Sequence, residues 1–351
     1  MNWSDELFKK IIIYATIVLL AVLLTLFTFD TWETILMVSL LMILVSYIVI
    51  LSMDKLTTLN CGMIKEGFVT DSDATQSKYK WLENEELFDD FYASVFTKLT
   101  QNDKLVQAET ALCMTEFKKH ISTNQLSILD AGCGIGIGTC SLVKLGAQHV
   151  VGIDRSNAMI QYAKGTTLPS TTLTDLQKQD IEFRLADLNG PGSAGAAEFD
   201  AACLLYFTIY YFRDLDTLFR NLHLWVKPNG SLAIEVVNKY KFEPVLDSSN
   251  PWVGVSPQRY TKDRITTSKV VFDKFDYEAV FELEDPKAEF RETFRFKDGS
   301  VRRQRHRLYM PNIDDIVKKA QQNGWAYTKY VDLMPLSFQY GYLLFFTRNV
   351  E

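Results

Sequence analysis

No charged side chain interrupts Ile11 to Phe29 or Thr34 to Ser52, and further along the chain apolar residues recur with the periods of helices and strands. As a helix, each uncharged run would cross about 30 Å of hydrocarbon, so two membrane spans are predicted over about 11–29 and 34–52. Only Asp30, Thr31, Trp32 and Glu33 separate them, which makes the pair a tight hairpin. A cleaved leader would have a shorter apolar stretch and a small-x-small site, and a buried core hairpin would show a polar face on its helices. The runs show none of these features.

From Asp54 to Lys80 the chain turns polar around DSDATQS and reads as a linker, giving a hairpin over 1–53, a tether over 54–80 and a domain over 81–351. Leu87, Phe91, Val95 and Leu99 recur at helical spacing, so the stretch from Glu83 to about Gln107, containing ELFDDFYASVFTKL, is predicted as an amphipathic helix. Glu109 to Ile121 is a second helix. Strands follow at Ser127–Asp130, Val150–Asp154, the IEFRLAD run ending at Asp187, the FDAACLLY run ending near Tyr206, and Gly230–Val237. Helical segments at Thr139–Leu145, Ser156–Lys164 and Asp214–Val226 lie between them, and that alternation predicts a doubly wound parallel sheet. Between about 239 and 311 the pattern changes to period two in FDYEAVFELE, AEFRETFRF and VRRQRHRLYM, with DP and KDG turns, which predicts antiparallel strands. A helix over Asn312–Asn323 and strands in YTKYVDL and YGYLLFFTR close the domain.

Composition refines this picture. With 351 residues, 47% hydrophobic and 23% charged, there is chain for one large core or two modest ones. A formal charge of −6 argues against nucleic acid as a partner, since phosphate binding needs a concentrated basic surface. Lys9 and Lys10 precede the first span, Lys55 and Lys65 follow the second, and the connecting loop carries only acidic charges. An excess of lysine on one side places both termini and the large domain in the cytosol, with Trp32 at the far interface. The five cysteines are odd in number and form no C-x-x-C pair, so neither a disulfide framework nor a zinc site is indicated.

The chemistry concentrates in ILDAGCGIGIGT, Ile128 to Thr139, which reads as strand, tight turn and helix. Glycines there open dihedrals closed to other residues and let a ligand approach the main chain, beside the free N–H groups of a helix start. Asp154 closes a second strand about twenty residues on, the offset at which an acidic side chain reaches a ribose diol. A dinucleotide fingerprint needs a third glycine, but Ile137 and Thr139 stand three residues past Gly134 and Gly136. A nicotinamide enzyme is thereby disfavoured. The remaining D-x-G-x-G-x-G pattern resembles motif I of class I S-adenosylmethionine-dependent methyltransferases.

That resemblance implies a Rossmann-like seven-stranded sheet, here with an antiparallel insertion and two preceding transmembrane helices, and S-adenosylmethionine as cofactor. Asp130 would suit the ammonium of the methionine part, and Gly132, Gly134 and Gly136 would hold that part. Cys133 would serve as a small side chain in the loop, without a nucleophile's role. Asp154 would take the ribose, Asp187 and Leu188 the adenine, and Tyr206 would touch the cofactor from the end of the fourth strand. The segment DDFYASVFTKL is similar to the family's N-terminal helix, which folds a tyrosine over the cofactor, here Tyr92. VKPNG resembles the turn before the family's fifth strand, with Asn229 in place of a glycine. Tyr210 and Tyr211 occupy the positions that face the transferred methyl, as catalytic candidates, and no histidine base lies in that segment.

The insertion reads as a lid over the substrate side. Arg302, Arg303, Arg305 and Arg307 invite a phosphate or lipid head group, but cross-strand pairing with Glu282, Glu284, Glu289 and Glu292 accounts for them better. His306, within that run, has no assigned role. The expectation is a methyltransferase for a small-molecule or lipid acceptor at the cytosolic face of the bilayer; the alternative is a membrane-anchored scaffold that binds cofactor without turnover. No Asn-Pro-Pro-aromatic motif is present, which argues against amide or nucleobase-amine acceptors. The oligomeric state has no signature in the chain.

Overall fold

The structure, a computed structural model, describes residues 81–349 apart from 101–102, 122–124, 243, 245–265 and 337. The expected hairpin, and the linker after it, lie outside the described residues. Among the described helices, none is long and apolar enough to cross a membrane.

Strand β1 (Trp81–Glu83) passes through a 3-10 turn into helices α1 (Asp90–Thr100) and α2 (Asp103–His120). The single helix expected from Glu83 to about Gln107 is therefore divided, and the second helix starts six residues earlier than Glu109. Asp89 explains the late start of α1: its Oδ1 accepts the Tyr92 N–H at 3.0 Å, the bond of an N-cap. The alternating region then runs β2 (Ser127–Ala131), α3 (Ile137–Lys144), β3 (His149–Asp154), α4 (Asn157–Tyr162), α5 (Asp175–Gln179), β4 (Ile181–Leu185), β5 (Phe199–Leu204), α6 (Leu215–Trp225) and β6 (Val226–Val237). Four strands follow without a helix, β7 (Thr267–Val271), β8 (Phe275–Glu284), β9 (Lys287–Phe296) and β10 (Val301–Tyr309). Helix α7 (Ile313–Gln322) and strands β11 (Trp325–Asp332) and β12 (Gly341–Arg348) end the domain.

The large sheet has seven strands in the order β11-β12-β6-β5-β2-β3-β4. Strands β2 to β6 are parallel, and β12 runs antiparallel to both β6 and β11. Both faces are covered, as the apolar strands require. Leu129, Val151, Ala202, Leu232 and Leu344 pack with Leu218, Leu222 and Trp225 of α6 and Ile316 of α7. Their strand neighbours Ile128, Val150, Ala201, Ala233 and Leu343 pack on the other side with Met114 and Phe117 of α2 and Leu142 of α3. This is the period-two alternation of a strand buried on both faces.

The second sheet is the antiparallel meander predicted from the period-two stretches, with two additions. Its order is β1-β10-β9-β8-β7, and β1 pairs parallel with β10 although more than 200 residues separate them in the chain. Its apolar face, including Phe275, Tyr277 and Phe294, packs on Leu87, Tyr92 and Val95, and the same cluster takes in Ile135 and Met159. Helix α1 is thus clamped between the small sheet and the glycine turn.

The arginine run is held mainly from the N-terminal side. Of the pairs expected within the hairpins, Arg305 meets Glu289 at 3.4 Å. Arg305 and Arg307 both bind Glu83 on β1, and Arg303 and Arg305 stack on the Trp81 ring. Arg302 points to the other face and binds Asp89 at 2.6 Å. Two smaller departures concern loops. Strand β4 ends at Leu185, so Asp187 lies past its end, and Asn229 adopts φ 62°, the left-handed conformation that its amide tolerates.

Candidate functional site

At the tip of β2, the N–H groups of Gly132 and Cys133 both donate to Ile153 O, at 2.8 and 3.1 Å, folding the turn back onto β3. Gly132, Gly134 and Gly136 have φ of 79°, 53° and 82°, so all three need the left-handed region. They differ in what surrounds them. A Cβ on Gly132 would stand 2.5 Å from the Thr208 methyl, and one on Gly136 2.7 Å from the Phe183 ring, whereas one on Gly134 would meet nothing within 4 Å. Gly134 therefore presents bare backbone to open space, as a ligand cradle requires, while Gly136 serves packing.

Asp130 does not line this space. Its carboxyl is 4% exposed and accepts the Thr139 hydroxyl at 2.7 Å, under the first turn of α3. Burial pushes it up to about 6, against the pull of the Thr139 bond. A buried carboxylate takes the donors nearest to it, and the start of a helix supplies them. The structure thus places the Asp130 carboxyl beneath the turn, where it braces the start of α3.

Asp154, by contrast, faces the opening. Its Oδ2 accepts the Gly134 N–H at 2.9 Å and its Oδ1 the Ser156 N–H at 2.8 Å. Burial raises its pKa, and these two bonds work against that rise. Each oxygen keeps a second lone pair, which a diol can use. Beyond it, Asp187 and the buried Leu188 line the same wall. Asp187 Oδ1 accepts from Asn189 N at 2.9 Å, so this residue forms the turn and borders the cavity at once.

The end of β5 carries two consecutive non-glycine residues with positive φ, Tyr206 at 49° and Phe207 at 61°. Such a pair is sterically costly and persists only where the surroundings enforce it. Glu235 on β6 does so: its Oε2 accepts the Tyr206 N–H at 2.6 Å. Burial pushes Glu235 up to about 7, and its neighbour Glu109 on α2 is raised as well, by burial and then by the charge of Glu235. The two carboxyls interact, yet neither oxygen of Glu109 finds a partner at ordinary hydrogen-bond geometry. The bent segment turns the Tyr206 ring onto Phe96 of α1, with centroids 5.5 Å apart.

Of the two adjacent tyrosines expected near the methyl, the structure brings only Tyr211 to the cavity wall. Tyr210 is 1% exposed and lies in the core; its hydroxyl accepts the Val237 N–H at 2.8 Å and ties the 3-10 turn to β6. The Tyr211 hydroxyl instead meets His306 Nδ1 at 2.7 Å. His306 Nε2 in turn lies 2.7 Å from Glu292 Oε2. Glu292 also accepts from Tyr277 at 2.6 Å, from Gln304 at 2.5 Å and, at 3.5 Å, from Tyr92. Burial alone would raise Glu292, but the imidazole of His306 when charged, together with these donors, outweighs it and holds the carboxyl below its ordinary value.

The pairing of His306 with Glu292 was therefore missed by a reading of the run as arginines paired across strands with glutamates. The signal lay in strand alternation: Gln304, His306 and Leu308 share one face of β10, and all three are buried. Tyr92, predicted to fold over the cofactor, sits on the wall between the two ends and touches this network.

These elements enclose a cavity of about 290 Å³. One end is walled by Gly132, Gly134, Asp154, Asp187 and Leu188, the other by Tyr211, Phe281, Phe290, His306 and Leu308, with Tyr92 and Tyr206 between. Backbone, two carboxylates and a helix start at one end suit a polar nucleoside cofactor. The aromatic rings beyond suit a sulfonium and an apolar molecule.

Residues 128–230 match a family described as a methyltransferase domain. The chain is 29% identical over 122 residues to a mitochondrial ubiquinone biosynthesis O-methyltransferase of Dictyostelium discoideum, spanning 34% of this chain and 38% of that protein. It is 33% identical over 109 residues to phosphoethanolamine N-methyltransferase 1 of Triticum aestivum, spanning 30% of this chain and 20% of that one. The matches thus span well under half the length of these curated relatives. Among solved structures, the CcbJ methyltransferase of Streptomyces caelestis aligns with a TM-score of 0.56 at 12% identity, covering 76% of this chain and 100% of that chain. An S-adenosylmethionine-dependent methyltransferase of Clostridium acetobutylicum aligns at 0.53 and 16% identity, covering 71% of this chain and 96% of that one. The domain has the fold of these methyltransferases.

Proposed function

We propose that this chain is an S-adenosylmethionine-dependent methyltransferase that transfers a methyl group to a small, largely apolar acceptor. The observation that carries the reading is that one cavity is lined both by Gly134 and Asp154 and by aromatic rings of the small sheet and its neighbours, which gives donor and acceptor a common space. The curated relatives are named as methyltransferases, which supports the same activity. A sulfonium makes its methyl electrophilic before binding, so the protein's main work is alignment and exclusion of water. Aromatic rings such as Tyr92 and Tyr206 contribute cation–π attraction to the sulfonium.

The finer reading adds a location. With the two uncharged runs at its N-terminus as spans, the domain acts at the cytosolic face of a bilayer, where apolar and lipid acceptors concentrate. The meander of β7 to β10 acts as the lid of the acceptor end. Calorimetry with S-adenosylmethionine, followed by transfer of labelled methyl into membrane extracts, tests activity and location together. Saturable binding and a labelled apolar product support the reading. Binding without transfer replaces it with a scaffold, and label confined to the aqueous fraction removes the lipid-side assignment.

A further inference from the structure

Resting on that reading, we infer that Tyr211, His306 and Glu292 form a proton relay that removes the proton of a weakly acidic hydroxyl on the acceptor, so that the substrate class is phenol-like. The three come from distant parts of the chain: Tyr211 from the turn after β5, His306 from β10 and Glu292 from β9. Their bonds fix a direction. An ionised carboxylate only accepts, so Nε2 of His306 carries the hydrogen shared with Glu292 at 2.7 Å. In the neutral imidazole that the relay needs before turnover, Nδ1 is then the acceptor, and Tyr211 donates its hydroxyl hydrogen to it at 2.7 Å. The Tyr211 oxygen keeps lone pairs for a hydrogen bond from a molecule in the cavity.

Glu292 suits the far end of such a relay. It is 1% exposed and receives Tyr277, Gln304, His306 and, more distantly, Tyr92. Tyr277, Gln304 and His306 all reach it within 2.7 Å, so it is a fixed negative charge that attracts an imidazolium formed during turnover. Burial pushes the Tyr211 hydroxyl well above its ordinary value, with Glu292 adding to the rise and Arg155 opposing it. Tyr211 therefore passes a proton on and does not hold the negative charge itself.

The balance is simple. As the acceptor oxygen bonds to the methyl carbon, the carbon–sulfur bond breaks and its electron pair returns to sulfur, giving a neutral thioether. The acceptor's proton goes to Tyr211, whose own proton goes to His306 Nδ1, and the imidazolium sheds it to water after product leaves. A hydroxyl suits this end better than an ammonium does. Among the described residues lining it, the walls are mostly Phe, Leu and Tyr, and the Glu292 carboxylate behind them is already saturated.

The test uses the full-length chain with S-adenosylhomocysteine and 4-nitrophenol, whose ionised form is coloured. In the wild type the bound phenol ionises at lower pH than it does free in solution. Tyr211→Phe, His306→Gln and Glu292→Gln abolish that shift. With S-adenosylmethionine, methyl transfer to the same phenol loses about 10²- to 10⁴-fold in kcat in His306→Gln, while KM for the cofactor stays within about threefold. Tyr211→Phe removes one oxygen only, and serves where His306→Gln fails to fold. Equal ionisation in wild type and variants, or no 4-nitrophenol binding, overturns the relay. Failure of S-adenosylhomocysteine to bind the wild type overturns the methyltransferase reading instead.

Discussion

At the cofactor end of the cavity, the Gly134 N–H and the Asp154 carboxylate that receives it are 20 residues apart, and Ser156 N–H binds Asp154 across two. At the acceptor end, Tyr211 and His306 are 95 residues apart, and Tyr92 and Glu292 are 200 apart. The first end is main chain shaped by one βαβ unit. The second is side chains from α1, the turn after β5 and the small sheet. A site built from backbone is insensitive to most side-chain changes and keeps one ligand; a site built from distant side chains can be retuned residue by residue. The contrast fits a shared methyl donor and a private acceptor.

The strongest way to break the cofactor end is to add an atom where the backbone has no room. In Gly132→Ala the methyl must share space with the Thr208 side chain, 2.5 Å from its nearest carbon, at a φ of 79°. Left-handed strain of about 1–2 kcal/mol and overpacking of about 1–3 kcal/mol combine to about 2–5 kcal/mol. Thermal unfolding should show that loss, and calorimetry should show cofactor binding abolished. Gly134→Ala separates the two causes, since its Cβ meets nothing: strain remains, the clash disappears, and any loss of binding comes from the ligand's own approach.

Asp154→Ala comes next. It removes the acceptor of the Gly134 and Ser156 N–H groups and the proposed ribose contact together, at about 1.5–3 kcal/mol for a charged hydrogen bond. Cofactor affinity should fall by about 10- to 150-fold. 4-Nitrophenol ionisation by the relay should survive at saturating S-adenosylhomocysteine. A loss of both would show that the two ends are not independent.

The carboxyl pair behind Tyr206 gives a pH test of the hinge between the ends. Burial raises Glu235 from an ordinary value of 4.5 to about 7, so the folded state favours its protonated form. Stability from that preference is fully present below about 4.5 and is lost as pH rises through about 7. Glu109 is raised as well, by burial and then by the charge of Glu235, so Glu109→Gln should remove its own share of the loss. The variant should melt higher than wild type at pH 8, by a margin worth about 1–2 kcal/mol that closes below pH 5. An equal melting temperature at both pH values would mean that the pair does not constrain the turn.

The same contrast explains what could be read from the chain. The order of strands and helices was legible, because buried parallel strands and amphipathic helices write their periods locally. The glycine turn and Asp154 were legible because their spacing is set by one strand-turn-helix-strand unit. Asp130 was legible as a residue of the turn but its surroundings were not, since spacing does not tell that its carboxyl lies beneath α3 and accepts the Thr139 hydroxyl. His306 and Glu292 were illegible as a pair: their meeting depends on the register of β9 against β10, which sets Gln304 opposite Glu292 and His306 opposite Phe290. The arginines misled for the related reason that Glu83 and Asp89, their main partners, come from the segment before α1.

The smallest expected effect is the sharpest discriminator, because it contrasts two neighbours in one turn. Tyr210 and Tyr211 are adjacent, and the 3-10 turn over Thr208–Tyr211 sends one hydroxyl into the core and the other to the cavity. Tyr210→Phe leaves the Val237 N–H, held at 2.8 Å, without its acceptor in a fully buried position. That costs about 1–2 kcal/mol of stability and should lower the melting temperature. Because Tyr210 touches neither end of the cavity, kcat for methyl transfer to 4-nitrophenol and the ionisation of the bound phenol should stay at wild-type values. Tyr211→Phe should do the reverse, leaving the melting temperature nearly unchanged and removing the ionisation shift. If Tyr210→Phe cost activity and Tyr211→Phe cost only stability, the division of the turn into a structural and a functional tyrosine would be inverted, and with it the assignment of the aromatic end to the acceptor.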